Sequence, residues 1–225
     1  MKAAILLSVA LCLPAWADLL AGDRAYLSGD YSTAFKEFLP LAREGNAHAQ
    51  MYIGAMYGAG QGIPQDYKEA MRWSRLAADQ GQSFGQYTVG FLYFEGQGVP
   101  QNYEEAAKWY RLAAEQGFAG GQFSLGLMYY KGQGVPQDYK KAAQWFRLAA
   151  DQGNAGAQTN LGVMYDLGQS VPQDYIQAHM WYNLAASNGD TLALKNREMI
   201  ASKMTPGQIA EAQRLAREWK PKTSR

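Results

Sequence analysis

The side chains that most often perform acid–base or metal chemistry are scarce in this sequence. It contains two histidines, His48 and His179, whose positions differ by 131, and one cysteine, Cys12. A general base or a metal site needs such groups within bonding distance of one another. His179 lies between Ala178 and Trp181 of a repeated apolar pattern, which is typical of a packed side chain. We therefore expect no catalytic site and no metal site.

Two further patterns resemble chemical sites but have simpler interpretations. Glu104 and Glu105 are adjacent carboxylates, yet consecutive positions of a helix do not face each other, so we interpret them as part of a solvated face. A Gly-Gln-Gly sequence occurs three times, but a Val-Pro or Ile-Pro dipeptide follows it instead of the Gly-Lys of a phosphate-binding loop. We expect no cofactor.

The charge balance argues against one class of partner. The chain has 21 Lys and Arg against 20 Asp and Glu, and removal of Lys2 with the leader described next would leave 20 against 20. A neutral sequence without a basic cluster releases few counterions from a phosphate backbone. We therefore expect no binding to nucleic acid.

Residues 1–17 have the three parts of a secretory signal peptide. Lys2 gives a positive start, an apolar core follows, and Ala15-Trp16-Ala17 is a small-x-small cleavage site. The apolar core is shorter than the roughly 20 residues that a transmembrane helix needs. We expect cleavage before Asp18 and a periplasmic or secreted mature protein without cysteine.

One eight-residue sequence recurs along the chain and organises it. Gly-Gln-Gly-Val-Pro-Gln-Asp-Tyr occurs at 132–139, and close variants occur at 60–67, 96–103 and 168–175. The final tyrosines are 36 positions apart. A fixed period between about 20 and 50 residues indicates stacked repeats. The sequence therefore predicts an elongated array in which each unit contacts its neighbours.

The period divides the chain into units. Residues 18–45 keep the register but lack the Gly-x-Gly-Val-Pro loop, so we expect them to form an atypical capping repeat. Beyond the full units, we expect a C-terminal capping helix pair at 190–220 and a frayed tail at 221–225. The four full units span 46–81, 82–117, 118–153 and 154–189.

Each full unit has the pattern of two helices, here called helix A and helix B. Helix A has a glycine in its middle, and because glycine costs a helix about 1 kcal/mol, we infer that a neighbouring backbone lies too close for a β-carbon. Helix B begins at an N-capping Asp or Asn, and Glu69, Glu105 and Gln177 lie where a capping box would need them. The helix-A glycines are Gly54, Gly90, Gly126 and Gly162.

These motifs resemble the SEL-one-like repeat (SLR), a branch of the tetratricopeptide-repeat superfamily. The resemblance implies an all-α fold, a right-handed α/α superhelical solenoid of about six antiparallel helix pairs, with helix A on the concave side. It also implies a non-enzymatic role as a scaffold or adaptor. The unit 118–153 carries the motif at Leu125, Gly126, Tyr129, Gly132, Gly134, Asp138, Tyr139, Ala142, Trp145, Ala149, Ala150 and Gly153.

Apolar residues outside the repeated positions form a further pattern on helix A, here called the aromatic stripe. Their spacing of three and four residues places them on one helical face. Two interpretations stay open, because such a stripe can pack against neighbouring helices or can form an exposed groove for a peptide. The stripe consists of Phe84, Tyr87, Phe91, Phe94, Phe123, Leu127 and Tyr130.

We expect the chain to bind a peptide or protein segment on the helix-A face, in the bacterial envelope. One alternative is a cell-wall or glycan-binding accessory, because aromatic faces also stack on sugar rings. Another is a β-lactam-interacting protein, since some exported members of the resembled family look like penicillin-binding or β-lactam-hydrolysing proteins. Those members carry a cysteine pair in each repeat, which this chain lacks.

Overall fold

The computed structural model describes residues 15–222, with side chains from Leu19 onward, and this part of the chain is all-helical. Twelve α-helices follow one another, and each of the first ten packs against the next one. The predicted all-α solenoid is therefore confirmed. The helices are α1 Ala15–Leu27, α2 Tyr31–Arg43, α3 Ala47–Ala59, α4 Tyr67–Asp79, α5 Ser83–Glu95, α6 Tyr103–Glu115, α7 Ala119–Lys131, α8 Tyr139–Asp151, α9 Ala155–Leu167, α10 Tyr175–Ser187, α11 Thr191–Ala201 and α12 Pro206–Glu218.

In the four full units, α3, α5, α7 and α9 are the A helices, and α4, α6, α8 and α10 are the B helices. The most extensive apolar core runs without interruption from α6 to α10. Most of the predicted signal peptide, 1–17, lies outside the described residues, so its cleavage and the export of the chain stay predictions.

The predicted N-caps of helix B are confirmed, but the predicted capping boxes are wrong. The Asp66 carboxylate accepts from the backbone N–H groups of Lys68 and Glu69, as expected of an N-cap. The N–H of Asp66 itself donates to the carbonyl of Tyr57 in helix A, at 3.0 Å, so no box is needed to satisfy it. The Glu69 carboxylate instead accepts from Nε1 of Trp73, at 3.0 Å.

The helix-A glycines make room for side chains of helix B rather than for its backbone. A β-carbon at Gly126 would lie 2.7 Å from the ring of Phe146, and one at Gly90 would lie 2.8 Å from the ring of Tyr110. Only at Gly54, opposite the small Ser74, would it meet backbone, at 2.9 Å from the nitrogen. The inference of a close backbone approach thus holds in one unit, and in the others an aromatic ring occupies the space.

A ladder of buried glutamines connects successive units. In the third full unit, Gln122 of α7 donates to the carbonyl of Ala114 at the end of α6, at 3.2 Å. Its own Oε1 accepts from Nε2 of Gln152 at the end of α8, at 2.8 Å. The same two bonds occur one and two units earlier, so one amide joins three helix ends in each of these units. The buried glutamines are Gln50, Gln86, Gln122 and Gln158.

The C-terminal helix α12 packs against α10 rather than extending the stack in the regular way. The Trp219 ring meets Trp181 of α10 edge-on, with 6.5 Å between centroids. Beyond α12, Lys222 bonds Asp151 of α8 twice, through its backbone N–H to the carbonyl and through Nζ to the carboxylate, each at 2.7 Å. Lys222, which belongs to the expected frayed tail of 221–225, is therefore in contact with α8.

Candidate functional site

The structure divides the aromatic stripe into an exposed part and a packed part. Phe84 and Phe91, both on α5, expose 36% and 38% of their surface. The other five members are partly buried and pack against the main core. The stripe is therefore packed at five positions and exposed at two, and binding of a partner by the exposed part stays a prediction.

The packed members are held by rings of helix B. Phe123 lies 6.0 Å from Phe146 between ring centroids, and Tyr87 lies 5.6 Å from Tyr110. These are the helix-B rings that lie opposite Gly126 and Gly90, so the same side chains that occupy the glycine gaps also support the stripe. Aromatic pairs at these distances contribute about 0.5–1.5 kcal/mol beyond their buried area. The packed members of the stripe are therefore supported by the rings of helix B.

A cavity of about 190 Å³ opens between the stripe residues of α5 and α7. Phe91, Phe94 and Leu127 line it together with Tyr110 and the carboxylate of Glu95. Burial raises the pKa of the Tyr110 phenol above its ordinary value, so this ring stays uncharged at neutral pH. The cavity is thus a mainly apolar recess that an apolar side chain can enter.

The two histidines lie far apart in the fold, as predicted, and each has a structural environment. Nε2 of His48 is 3.0 Å from Oδ1 of Asp23, next to the N-terminal aromatic cluster. His179 is buried in α10, and burial, followed by the positive charge of Arg197, lowers its pKa. Between Leu19 and Lys222, no three His, Cys, Asp or Glu side chains are placed to hold a metal ion.

Sequence reasoning missed a larger cavity on the helix-B side of the third unit. It has a volume of about 810 Å³, and Trp145 and Tyr129 line it together with Arg111, Lys140 and Lys141. A signal was available, because Lys140-Lys141 replaces Glu104-Glu105 of the preceding unit. The cations that line the cavity come from two helices, α6 and α8, so the sequence does not show all of them together.

None of the helices between Ala15 and Lys222 combines the length and the apolar composition that a bilayer span requires.

Comparison with protein families gives a consistent match over the full units. The model of the Sel1 repeat matches four times, at residues 47–82, 83–118, 119–154 and 155–190, which together make up well over half of the chain. Each matched range begins and ends one residue after the unit boundaries that the period predicts. A search of curated proteins gave no significant match.

Solved structures similar to this chain also contain these repeats. A protective antigen of uropathogenic Escherichia coli strains, which displays an SLR fold, is 35% identical, with a TM-score of 0.77 over 90% of this chain and 44% of that chain. The present chain thus spans less than half of that antigen. A Sel1 repeat protein from Oxalobacter formigenes is 30% identical, with a TM-score of 0.72 over 89% of this chain and 85% of that chain.

Proposed function

The chain belongs to the Sel1 repeat family, and from this premise we propose that it is a non-enzymatic scaffold that binds a peptide or protein segment on its helix-A face. Sel1 repeat proteins are generally interaction scaffolds, which supports the general class. The finer proposal is that the central units, 82–117 and 118–153, form the binding face.

The observation that carries the proposal is the exposure of Phe84 and Phe91 beside the packed members of the aromatic stripe. Phe91 also lines the 190 Å³ cavity, which Leu127 borders from the next unit. Large apolar side chains exposed beside a recess are typical of a surface that buries them against a partner. A segment with apolar residues at helical or alternating spacing would place one side chain in the recess and others against Phe84.

We further propose that the chain acts after export, in the bacterial envelope. The tripartite pattern of residues 1–17 supports this location, and the lack of cysteine in the chain from Asp18 onward is compatible with it, since the packed array needs no disulfide.

The test is affinity capture from envelope extract with the chain from Asp18 onward as bait, in three forms. The unchanged chain should retain one or more proteins that Phe91→Ser loses by about tenfold, because a buried phenylalanine contributes roughly 1.5–3 kcal/mol. Leu76→Ser is the matched control, because Leu76 is exposed to a similar degree, 40%, but lies on helix α4. It should capture the same proteins as the unchanged chain.

Two results would contradict the proposal. Equal capture by Phe91→Ser and by the unchanged chain would remove the helix-A face from the binding site. The second result has three parts: no protein is captured, the unchanged chain binds isolated peptidoglycan, and Phe91→Ser loses that binding. It would instead support the glycan-binding alternative.

A further inference from the structure

The larger cavity is a groove with an aromatic and aliphatic floor, here called the Trp145 groove. Trp145 and Leu148 of α8 form the floor with Tyr129 of α7, and Val171 forms one edge. Leu148 is 48% exposed. A second cavity of about 460 Å³ adjoins the groove through Arg111 and continues along α6. The open surface therefore extends over two units.

The tryptophans of the other full units have partners that Trp145 lacks. Trp109 lies under the guanidinium of Arg75, at 4.5 Å from the ring centroid, and Trp181 lies under Arg147, at 5.1 Å. The corresponding Arg111 donates to the hydroxyl of Tyr129, at 2.9 Å, as Arg147 does to that of Tyr165, but of these two only Arg147 also lies over a tryptophan ring. Within the described chain, Trp145 has no such cation over its ring and is partly exposed. Its ring is therefore accessible from the groove.

The indole N–H of Trp145 also lacks the acceptor found in the first full unit. There, Nε1 of Trp73 donates to the carboxylate of Glu69, at 3.0 Å. The residue at the corresponding position of the third unit is Lys141, which cannot accept a hydrogen bond. A ligand with a carboxylate could provide the missing acceptor.

The chain itself occupies the equivalent surface one unit later. Helix α12 covers α10, where the Trp219 ring lies on Trp181, and the residues after α12 reach back to the end of α8, where Lys222 bonds Asp151. Leu184, which corresponds to Leu148, is only 8% exposed as a result. This packing shows that the helix-B surface of these repeats accepts a segment with a bulky aromatic anchor.

The charges of the Trp145 groove differ from those of the covered surface and determine which segment fits. Arg111, Lys140 and Arg147 line the groove and make no ion pair within the described chain. Lys141 lies 3.4 Å from Asp138, and the one carboxylate that lines the groove is Glu115. In the fourth unit, Ile176 and Gln177 replace the two lysines. The groove is therefore strongly positive and its covered counterpart is not.

The C-terminal segment of a second copy, which would match the segment that covers α10, is a poor occupant on grounds of charge. From α12 onward the sequence carries five basic residues against two acidic ones, so it would bring an excess of positive charge into a positive groove.

We propose that the Trp145 groove binds an acidic segment of a protein partner, with a bulky apolar side chain on Trp145 and carboxylates on Lys140, Lys141, Arg111 and the Trp145 indole N–H. This site is separate from the helix-A face, so the chain can hold two segments at once. Charge-assisted hydrogen bonds and an aromatic anchor are the combination that gives peptide grooves their affinity and their selectivity.

The test is selection from a random short-peptide display library on the chain from Asp18 onward, followed by affinity measurement with labelled peptides. Peptides rich in Asp and Glu around a Trp, Phe or Leu should be enriched. The combined variant Lys140→Glu and Lys141→Glu should weaken their binding by at least about tenfold. It reproduces the Glu104-Glu105 sequence that the preceding unit already tolerates at these positions.

The matched control is Lys36→Glu combined with Lys131→Glu, which changes the net charge by the same amount at exposed positions outside the groove. Its binding should stay within about twofold of the unchanged chain. Phe91→Ser should likewise leave binding of the acidic peptides unchanged, which separates this site from the helix-A face.

Selection of no acidic peptides would overturn the proposal. Acidic peptides that bind both double variants equally, or that bind as well after replacement of their apolar anchor by alanine, would also overturn it, because the attraction would then be nonspecific. Circular dichroism of each variant confirms that it is folded.

Discussion

At the scale of single residues, the fold depends on pairs of a glycine and a ring. Each central helix A has a glycine where an aromatic side chain of helix B comes within contact distance, as with Gly126 and Phe146. The same ring supports Phe123 of the stripe, at 6.0 Å between centroids. Close packing of helix A on helix B and support of the candidate docking face therefore depend on the same residue.

Replacement of Gly126 by alanine tests this arrangement. The new β-carbon would lie 2.7 Å from the Phe146 ring, so we expect a net loss of about 1–2 kcal/mol in the free energy of unfolding, after the gain in helix propensity is included. Gly58→Ala is the control, because its β-carbon would lie 3.7 Å from the β-carbon of Ala70 and should stabilise by up to about 1 kcal/mol. Urea unfolding measures both changes, and a gain for both would show that the ring is not in contact.

The sequence indicated that these glycines matter but not what they face. Glycine in a helix indicates a close approach by something, and its period of 36 gives the position in each unit. Whether a backbone or a ring comes close depends on the angle between the helices and on the rotamer of Phe146. Neither the interhelical angle nor the rotamer can be read from the amino-acid sequence. The same holds for the capping boxes, because the competing acceptor, the Tyr57 carbonyl, belongs to a different helix.

At the scale of helices, the glutamine ladder sets how successive units meet. Three buried glutamines, Gln50, Gln86 and Gln122, each bond the end of the preceding helix and receive a bond from the glutamine that ends helix B of their own unit. In the fourth unit, Asn188 stands in the place of Gln152, and Oε1 of Gln158 has no partner among the described residues. A side chain one methylene shorter is too short to complete the ladder.

Restoration of the ladder is a direct prediction. Asn188→Gln should stabilise the chain by about 0.5–1.5 kcal/mol, the net value of a hydrogen bond to a buried group. The reverse change one unit earlier, Gln152→Asn, should destabilise it by at least as much, because it breaks the 2.8 Å bond to Gln122 and the 3.0 Å bond to the Gly117 carbonyl. Thermal or urea unfolding of both variants is the measurement. If the free energy of unfolding rose in both variants, or fell in both, the result would contradict the ladder.

Most helix boundaries could be predicted, because the N-capping Asp or Asn, the loop proline and the terminal glycine recur at fixed spacing. The C-terminal region could not. The sequence predicted a C-terminal capping helix pair at 190–220, but no repeat indicates that α12 lies on α10. The contact depends on Trp219, at the end of α12, reaching Trp181 past the intervening helix α11, which is tertiary information.

At the scale of the whole molecule, the units pack in a similar way, and they differ from one another in the side chains that stay exposed after packing. Two surfaces result. The helix-A face presents Phe84 and Phe91, and the helix-B side presents the Trp145 groove with its four cations. The aromatic stripe could be recognised in the sequence because its residues recur at helical spacing within each of two A helices, whereas the groove combines residues from α6 to α9 and the loop that follows.

The central claim is that packing between neighbouring helices stabilises the array while the candidate docking residues contribute little to it. Its most direct test is the free energy of unfolding of Phe91→Ser beside that of Trp109→Ala. Trp109 is 9% exposed and lies under Arg75, so its loss should cost about 3–5 kcal/mol, while Phe91→Ser should cost less than about 1 kcal/mol. A loss of several kcal/mol for Phe91→Ser, or of less than about 1 kcal/mol for Trp109→Ala, would contradict the account.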